Sequence, residues 1–356
     1  MAKNRTAAVV QALVAAVLFG ASAPLAKLLL GQIEPVLLAA VLYLGSGIGL
    51  LCVRPFLPRK SHTAQPEAQI ARSDLPWLAG AILAGGVAAP IVLLISLKNT
   101  PAAPASLLLN FDGVATAVLA VLVFGEEVGR RALWSVALIT ISSVLLALDP
   151  AGGWGLSIGA LGIVLACILW GIDNNFTRNV SAKDPLTIVT IKGLAAGTVS
   201  LAIAISLGNQ LPAPGIIVRA MLLGCLSYGL SIVLFIRAMR ALGAARTSTL
   251  FGTSPLVGVI LSLVLFRGLP NWLFWIALSL MVIAAWLLLN EKHEHEHFHE
   301  LLVHEHSHLH DDAHHEHDHG RTLTRSHSHT HRHEESRHAH DHMPDVHHRH
   351  GRRREK

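Results

Sequence analysis

Residues 96–127 read SLKNTPAAPASLLLNFDGVATAVLAVLVFGEE, and residues 238–269 read AMRALGAARTSTLFGTSPLVGVILSLVLFRGL. Laid over one another at a shift of 142, without a gap, they pair Lys98 with Arg240 and Ala102-Ala103 with Ala244-Ala245. They also pair Ser106 with Ser248, Leu108 with Leu250, and Phe124 with Phe266. Near the front of each half, Gly20-Ala-Ser-Ala-Pro-Leu-Ala-Lys27 lies over Gly171-Ile-Asp-Asn-Asn-Phe-Thr-Arg178. The chain therefore reads as two copies of one unit.

The solvent of that unit follows from composition. Of 356 residues, 52% are hydrophobic and 14% charged, with a mean hydropathy of +0.50, whereas soluble domains carry about a quarter charged residues. The polar residues are also segregated. Residues 291–356 hold 22 of the 23 histidines, 10 of the 28 Lys+Arg and 14 of the 23 Asp+Glu, which leaves 1–290 about 9% charged. A soluble enzyme, a coiled coil and a nucleic-acid binder are excluded for the main body. Cys52, Cys167 and Cys225 all lie in apolar runs without C-x-x-C spacing and read as small buried residues.

A helix crossing the hydrocarbon core needs about 20 mostly apolar residues. Ten stretches qualify, at about 6–28, 35–53, 75–97, 102–125, 131–149, 157–177, 184–207, 216–238, 245–266 and 270–290. Pro35, Pro101, the Pro-rich 54–74 segment, Asp149-Pro150 and the run from Leu211 to Gly215 mark breaks between them. The ten-residue alternation of a membrane β-barrel is absent. Lys3, Arg5 and Ala21-Ser22-Ala23 resemble a secretory signal, but Pro24 follows and the apolar run resumes through Leu30, so 6–28 is read as the first span. With the N-terminus inside, thirteen Lys/Arg fall on the inner side, among them Arg54, Arg72, Arg130, Arg178 and Arg237. Four fall outside: Lys27, Lys98, Arg219 and Arg267. This bias places both termini in the cytoplasm and the protein in the inner, or plasma, membrane. Five spans separate the copies, and five is odd, so the halves are expected to be inverted. Inverted repeats with discontinuous helices and a midplane site are a transporter architecture. No P-loop accompanies them. The expected fold is an all-α membrane protein with repeats at 6–149 and 157–290 and a disordered tail at 291–356.

The chain resembles the EamA type of the drug/metabolite transporter superfamily over about residues 6–290. Gly20-Ala-Ser-Ala-Pro-Leu-Ala-Lys27, Ala102-Ala-Pro-Ala-Ser-Leu-Leu-Leu109 and Val123-Phe-Gly-Glu-Glu-Val128 carry the resemblance, and Pro255 and Phe266 repeat it in the second half. It implies ten spans in two inverted five-helix repeats and secondary, often proton-coupled, transport or exchange. The family's substrates range too widely to be carried over. Two departures stand out. Arg267-Gly268 replaces an acidic residue, and Asp112-Gly113 stands where the second copy has Ser254-Pro255.

Ionisable groups in mid-membrane cost at least about 2.5–3.5 kcal/mol on insertion scales and so face the bundle interior. Asp112 lies mid-span with Asn110 two residues away, and is read as a proton- or cation-coupling carboxylate or as a structural Asp steadying a kink at Gly113. Asp173, Asn174 and Asn175 close the sixth span. Lys192 enters the seventh from the same side to a similar depth, which predicts that Asp173 and Lys192 are close, as an inner gate or a structural ion pair. Lys27 and Arg178 are read as basic side chains snorkelling to headgroups.

The tail alternates histidine with acid: His293, His295, His297 and His299, then His304, His306, His308 and His310, then His314, His315, His317 and His319, with further clusters to His350. Apolar residues are too sparse there for a core. Neutral imidazole suits Zn, Ni, Co and Cu ions, so the tail is read as a multi-site binder of divalent transition metals. Sensing pH and having no specific role are the competing readings, since full protonation takes the tail from −4 to +18. No cofactor is required. The expected partners are the lipid bilayer, a small-molecule substrate and transition-metal ions, with a homodimer open and no nucleic acid. The reading is a secondary transporter of a small solute, and no nucleophile–base pair suggests an enzyme. The alternatives are a metal exporter fed by the tail, and a metal sensor or store without flux.

Overall fold

The computed structural model describes residues 2–54, 70–124, 130–149, 155–178, 180, 184–242, 247 and 250–289, with four tail segments at 296–299, 302–308, 327–333 and 336–339. The apolar runs coil into helices because backbone polar groups have no water to bond to in a bilayer and must be satisfied within the chain. The first stretch is α1 (Ala2–Gly20) with α2 (Ser22–Leu29), and the second is α3 (Pro35–Val53). The third is α4 (Leu75–Ala81), a π turn (Ile82–Ala88) and α5 (Ala89–Asn99). The fourth divides into α6 (Ala102–Leu108) and α7 (Phe111–Phe124), and α8 (Arg130–Ala147) completes the first half. The second half has α9 (Ile158–Arg178), α10 (Pro185–Ser206), α11 (Pro214–Gly224), a second π turn (Cys225–Leu230), α12 (Ser231–Leu242), α13 (Ser254–Phe266) and α14 (Trp272–Leu289).

Helix starts follow local chemistry. Proline, which lacks an N–H to orphan, opens α3, α10 and α11, and the Asp184 carboxylate caps α10 by accepting from the N–H groups of Leu186 and Thr187. At the other end of α5 the Lys27 ammonium donates to the carbonyls of Leu97, Lys98 and Thr100 at 2.6, 2.9 and 3.0 Å. Lys27 thus satisfies orphan carbonyls of a helix end instead of simply reaching for headgroups.

Seven segments are long and apolar enough to cross a membrane: Thr6–Leu29, Pro35–Val53, Arg72–Asn99, Ala102–Val123, Ile158–Thr177, Pro185–Ser206 and Pro214–Ala238. The other three apolar helices, Leu133–Ala147, Ser254–Phe266 and Trp272–Leu287, are shorter. The 13 residues of α13 rise about 20 Å, against about 30 Å of hydrocarbon.

The expectation of an all-α chain with a tail lacking regular structure is corrected at short segments. Leu148–Asp149 (β1) pairs antiparallel with Gly155–Leu156 (β2) between the halves. In the tail, Glu296–His299 (β3) pairs with Ser336–Ala339 (β6), and Leu302–His308 (β4) with His327–His333 (β5). Too few apolar residues for a core does not preclude local ladders, and the His-x-His alternation has the period of a strand.

Helices meet through small residues. The α3–α10 crossing is the closest example. A Cβ at Gly193 would lie 2.7 Å from the Gly47 nitrogen and 3.0 Å from the Tyr43 carbonyl oxygen. Where there is no hydrophobic gain in joining helices within lipid, such close backbone contact supplies the van der Waals attraction. Elsewhere α14 lies on α8, α6 on α13, α9 against α5 and the first π turn, and α1 against α12 and the second. Gly193→Ala is expected to cost about 1–3 kcal/mol through overpacking. Gly113→Ala, whose Cβ meets nothing within 4 Å, is expected to be neutral or to gain up to about 1 kcal/mol in helix propensity. Thermal unfolding of the two purified variants beside the parent checks the contrast.

Candidate functional site

Helix α9 organises the interior polar residues along two adjacent stripes. Positions three and four apart share a helix face, so Cys167, Trp170, Gly171 and Asn174 line one stripe, and Asp173 and Thr177 the next. The first stripe meets the broken fourth stretch. Cys167 Sγ approaches the carbonyls of Leu108 and Leu109 at 3.7 and 3.9 Å, where α6 stops, and a Cβ at Gly171 would crowd Ala115 and Thr116 on α7. Asp112 sits in the first turn of α7. Its Oδ1 accepts from Asn174 Nδ2 at 3.1 Å and, at 3.5 Å, from Thr116 Oγ1. Asn174 Nδ2 also reaches Thr116 Oγ1 at 3.0 Å, while Asn175 Nδ2 donates to the carbonyls of Thr116 and Gly171 at 3.2 and 2.8 Å.

The second stripe meets α10. Lys192 Nζ donates to Asp173 Oδ1 and Oδ2 at 2.5 and 2.8 Å and to Thr177 Oγ1 at 3.2 Å. Thr177 itself donates to Asp173 Oδ1 at 2.8 Å. Asp173 is 7% exposed, so the pair is held out of water and saturates itself. Such contact needs α9 to come very near the first π turn, and a Cβ on Gly85 would collide with the Asp173 carboxylate. The Gly85 carbonyl then accepts twice, from Tyr43 Oη at 2.9 Å and from Trp170 Nε1 at 3.0 Å. In an α-helix that carbonyl would serve its own backbone ladder; π turns loosen the ladder and recur at functional positions.

Of the residues singled out by sequence, Asp112, Asn174 and Asn175 gather around Thr116, and Asp173 meets Lys192. Asn110 stands apart, its amide 3.5 Å from Met281 Sδ on α14. Sequence reasoning missed Thr116, Thr177, Tyr43, Trp170 and Gly85. One signal was available: each aspartate is followed four residues later by threonine, Asp112 by Thr116 and Asp173 by Thr177. Among the tail histidines, His297, His299, His304, His306 and His308 fall on strands. His293, His295, His310, His314, His315, His317 and His319 lie outside the described residues. Among the described residues no group of three or more His, Cys, Asp or Glu could hold a metal.

Removing one partner of a buried ion pair strands the other charge, which typically costs about 3–5 kcal/mol, whereas replacing both with neutral groups is close to neutral. Asp173→Asn is therefore expected to lower thermal stability by that order, and Asp173→Asn with Lys192→Met to restore most of it. A double variant no more stable than the single one argues against coupling of the two charges.

Two stretches of the sequence, 6–148 and 157–290, match the EamA-like transporter family. An uncharacterized transporter of Methanothermobacter thermautotrophicus is 29% identical over 266 residues, which is 71% of this chain and 77% of that protein. A protein of known crystal structure, 19% identical, shares the fold with a TM-score of 0.57 over 80% of this chain and 98% of its own. The seven long apolar helices and these matches describe a multi-pass membrane transporter, and over both of its halves the chain belongs to the EamA-like transporter family.

Proposed function

We propose that this protein is a secondary transporter that moves a small solute by alternating access, with Asp112 as its proton-coupling group. The observation that carries the reading is the uneven treatment of two interior carboxylates. Asp173 is neutralised by Lys192, whereas Asp112 has only the neutral donors Asn174 and Thr116, beside open space at Gly113. A lone carboxylate in low dielectric stays charged only at high cost, so it invites a proton or a cationic ligand.

Ten spans in two inverted five-helix repeats suit this reading. The shift of 142 lays the first π turn, Ile82–Ala88, over 224–230, and the second is Cys225–Leu230. It also lays the break after Leu108 over the break at Gly252-Thr253 before α13. Packing follows the same exchange of halves: the third stretch contacts the sixth as the eighth contacts the first. Broken helices that meet mid-membrane are where transporters of this architecture hold their ligands. The basic bias of the loops supports cytoplasmic termini in the inner membrane. One chain supplies both halves of the site, so no second copy is needed for it.

The tail adds a site for divalent transition metals. The β4–β5 register supports it by pairing His304 with His331, His306 with His329 and His308 with His327. Facing positions on antiparallel strands have Cα atoms about 4.5–5.5 Å apart, a spacing that suits shared ligation. A pore that exports the metal itself is the weaker reading, because no cluster of three metal-ligating residues occurs among the described residues.

In reconstituted vesicles, solute-driven proton movement is expected for the parent and is expected to vanish in Asp112→Asn at equal protein content, with Asp112→Glu retaining part of it. Solute movement with undiminished proton flux in Asp112→Asn would remove the coupling role. Separately, nickel titration calorimetry of the full chain and of a chain stopped at Asn290 is expected to give multi-site binding only for the former. Equal binding by both moves the metal site out of the tail.

A further inference from the structure

The interior charges leave a net negative site, and an aromatic row runs away from it. On α9, Trp170 stands one helical turn from Asn174, which holds Asp112. Trp170 and Tyr43 donate to the same Gly85 carbonyl. Tyr43 stacks on Tyr228 of the second π turn, ring centroids 5.6 Å apart, and Tyr228 meets Phe19 edge-on at 6.1 Å. Phe19 meets Phe251 at 5.2 Å, and Phe251 is the last residue before Gly252 and the second helix break. Trp170, Tyr228, Phe19 and Phe251 are all only half-buried although each lies within a span. Aromatic faces carry negative quadrupole potential and attract cations at about 6 Å or less from the centroid. An anionic solute would meet Asp112 and this row with no free cation to receive it, since the Lys192 ammonium is committed to Asp173 and Thr177.

We propose that the transported solute is a monovalent organic cation with an apolar or aromatic body, its charged head on Asp112 and its body along Trp170, Tyr228 and Phe19. This rests on the transport reading above. The exchange is balanced: the cation displaces the proton of the Asp112 carboxyl, the O–H bond breaks, and one proton leaves for each positive charge admitted. No other bond changes, and the cycle moves no net charge. The titratable groups facing Asp112 are Asp173 and Cys167 on α9. The other helix packed on α7 is α8, which carries only Arg130 and Arg131, at its opposite end.

The test uses purified full-length protein and four probes of matched size: phenyltrimethylammonium, benzyl alcohol, benzenesulfonate and phenylalanine. A quaternary ammonium cannot itself carry a proton, so proton release reports the protein. In weakly buffered detergent solution with a pH dye, phenyltrimethylammonium is expected to release about one proton per cation bound and to quench tryptophan fluorescence. Asp112→Asn is expected to abolish the release, and Tyr228→Leu with Phe19→Leu to weaken binding about tenfold, the order of one cation–π contact. Binding without proton release, or unchanged in Asp112→Asn, overturns the proposal. Vesicles of phosphatidylethanolamine and phosphatidylglycerol at 3:1 separate the two failures. If benzenesulfonate, benzyl alcohol or phenylalanine drives Asp112-dependent proton flux and phenyltrimethylammonium does not, the transport reading stands and the cationic class falls. If none of the four drives it, both fall.

Discussion

Position 85 has no side chain, and the polar interior depends on it. Helix α9 approaches the first π turn so closely that a methyl group there would occupy the place of the Asp173 carboxylate. That approach lets Asp173 lie against Lys192 instead of standing alone in a medium that penalises isolated charge. It brings Trp170 to the Gly85 carbonyl beside Tyr43, which fixes the aromatic rings relative to the ion pair. It also sets the rotation of α9, and with that rotation Asn174 faces Asp112 on the adjacent stripe. Ion pair, aromatic row and free carboxylate are three consequences of one close backbone contact.

The positions of the spans were legible because bilayer thickness imposes a length and an apolarity that composition alone reveals. The proximity of Asp173 and Lys192 was legible for a related reason: two helices entering from the same face at 1.5 Å per residue put residues of similar sequence depth at similar height. Rotation about the helix axis is not contained in that argument. Asn110 is close to Asp112 in sequence but turns towards Met281, while Thr116, a full turn further on, joins the carboxylate. The π turns were hidden because a widened backbone ring leaves no mark in apolar periodicity, and Gly85-Gly86 reads equally well as ordinary small-residue packing. Lys27 illustrates the opposite error, since a rule about long basic side chains near headgroups overlooked three unpaired carbonyls within reach. The tail misled in its own way. Sparse apolar residues argue against a core, yet alternation with period two is enough for paired strands.

The two halves agree in backbone and differ in charge. Both carry a π turn in the third stretch of the unit and a break in the fourth, 142 or 143 residues apart. At the break the first half has Asp112-Gly113 and the second Ser254-Pro255. Proline at the start of α13 fixes the backbone without an N–H to satisfy, so that break is held by covalent geometry. The first break has no such restraint, and its carbonyls at Leu108 and Leu109 face a thiol, a weak donor. A duplicated frame thus presents one rigid break and one softer break bearing the single unneutralised charge. If a proton or a cation on Asp112 changes how α7 meets α9, the first half is where the change can be absorbed, because the second is locked by Pro255. Chemical asymmetry on a near-symmetric frame is what gives a carrier a preferred place to respond to its ligand, and here it coincides with Asp112.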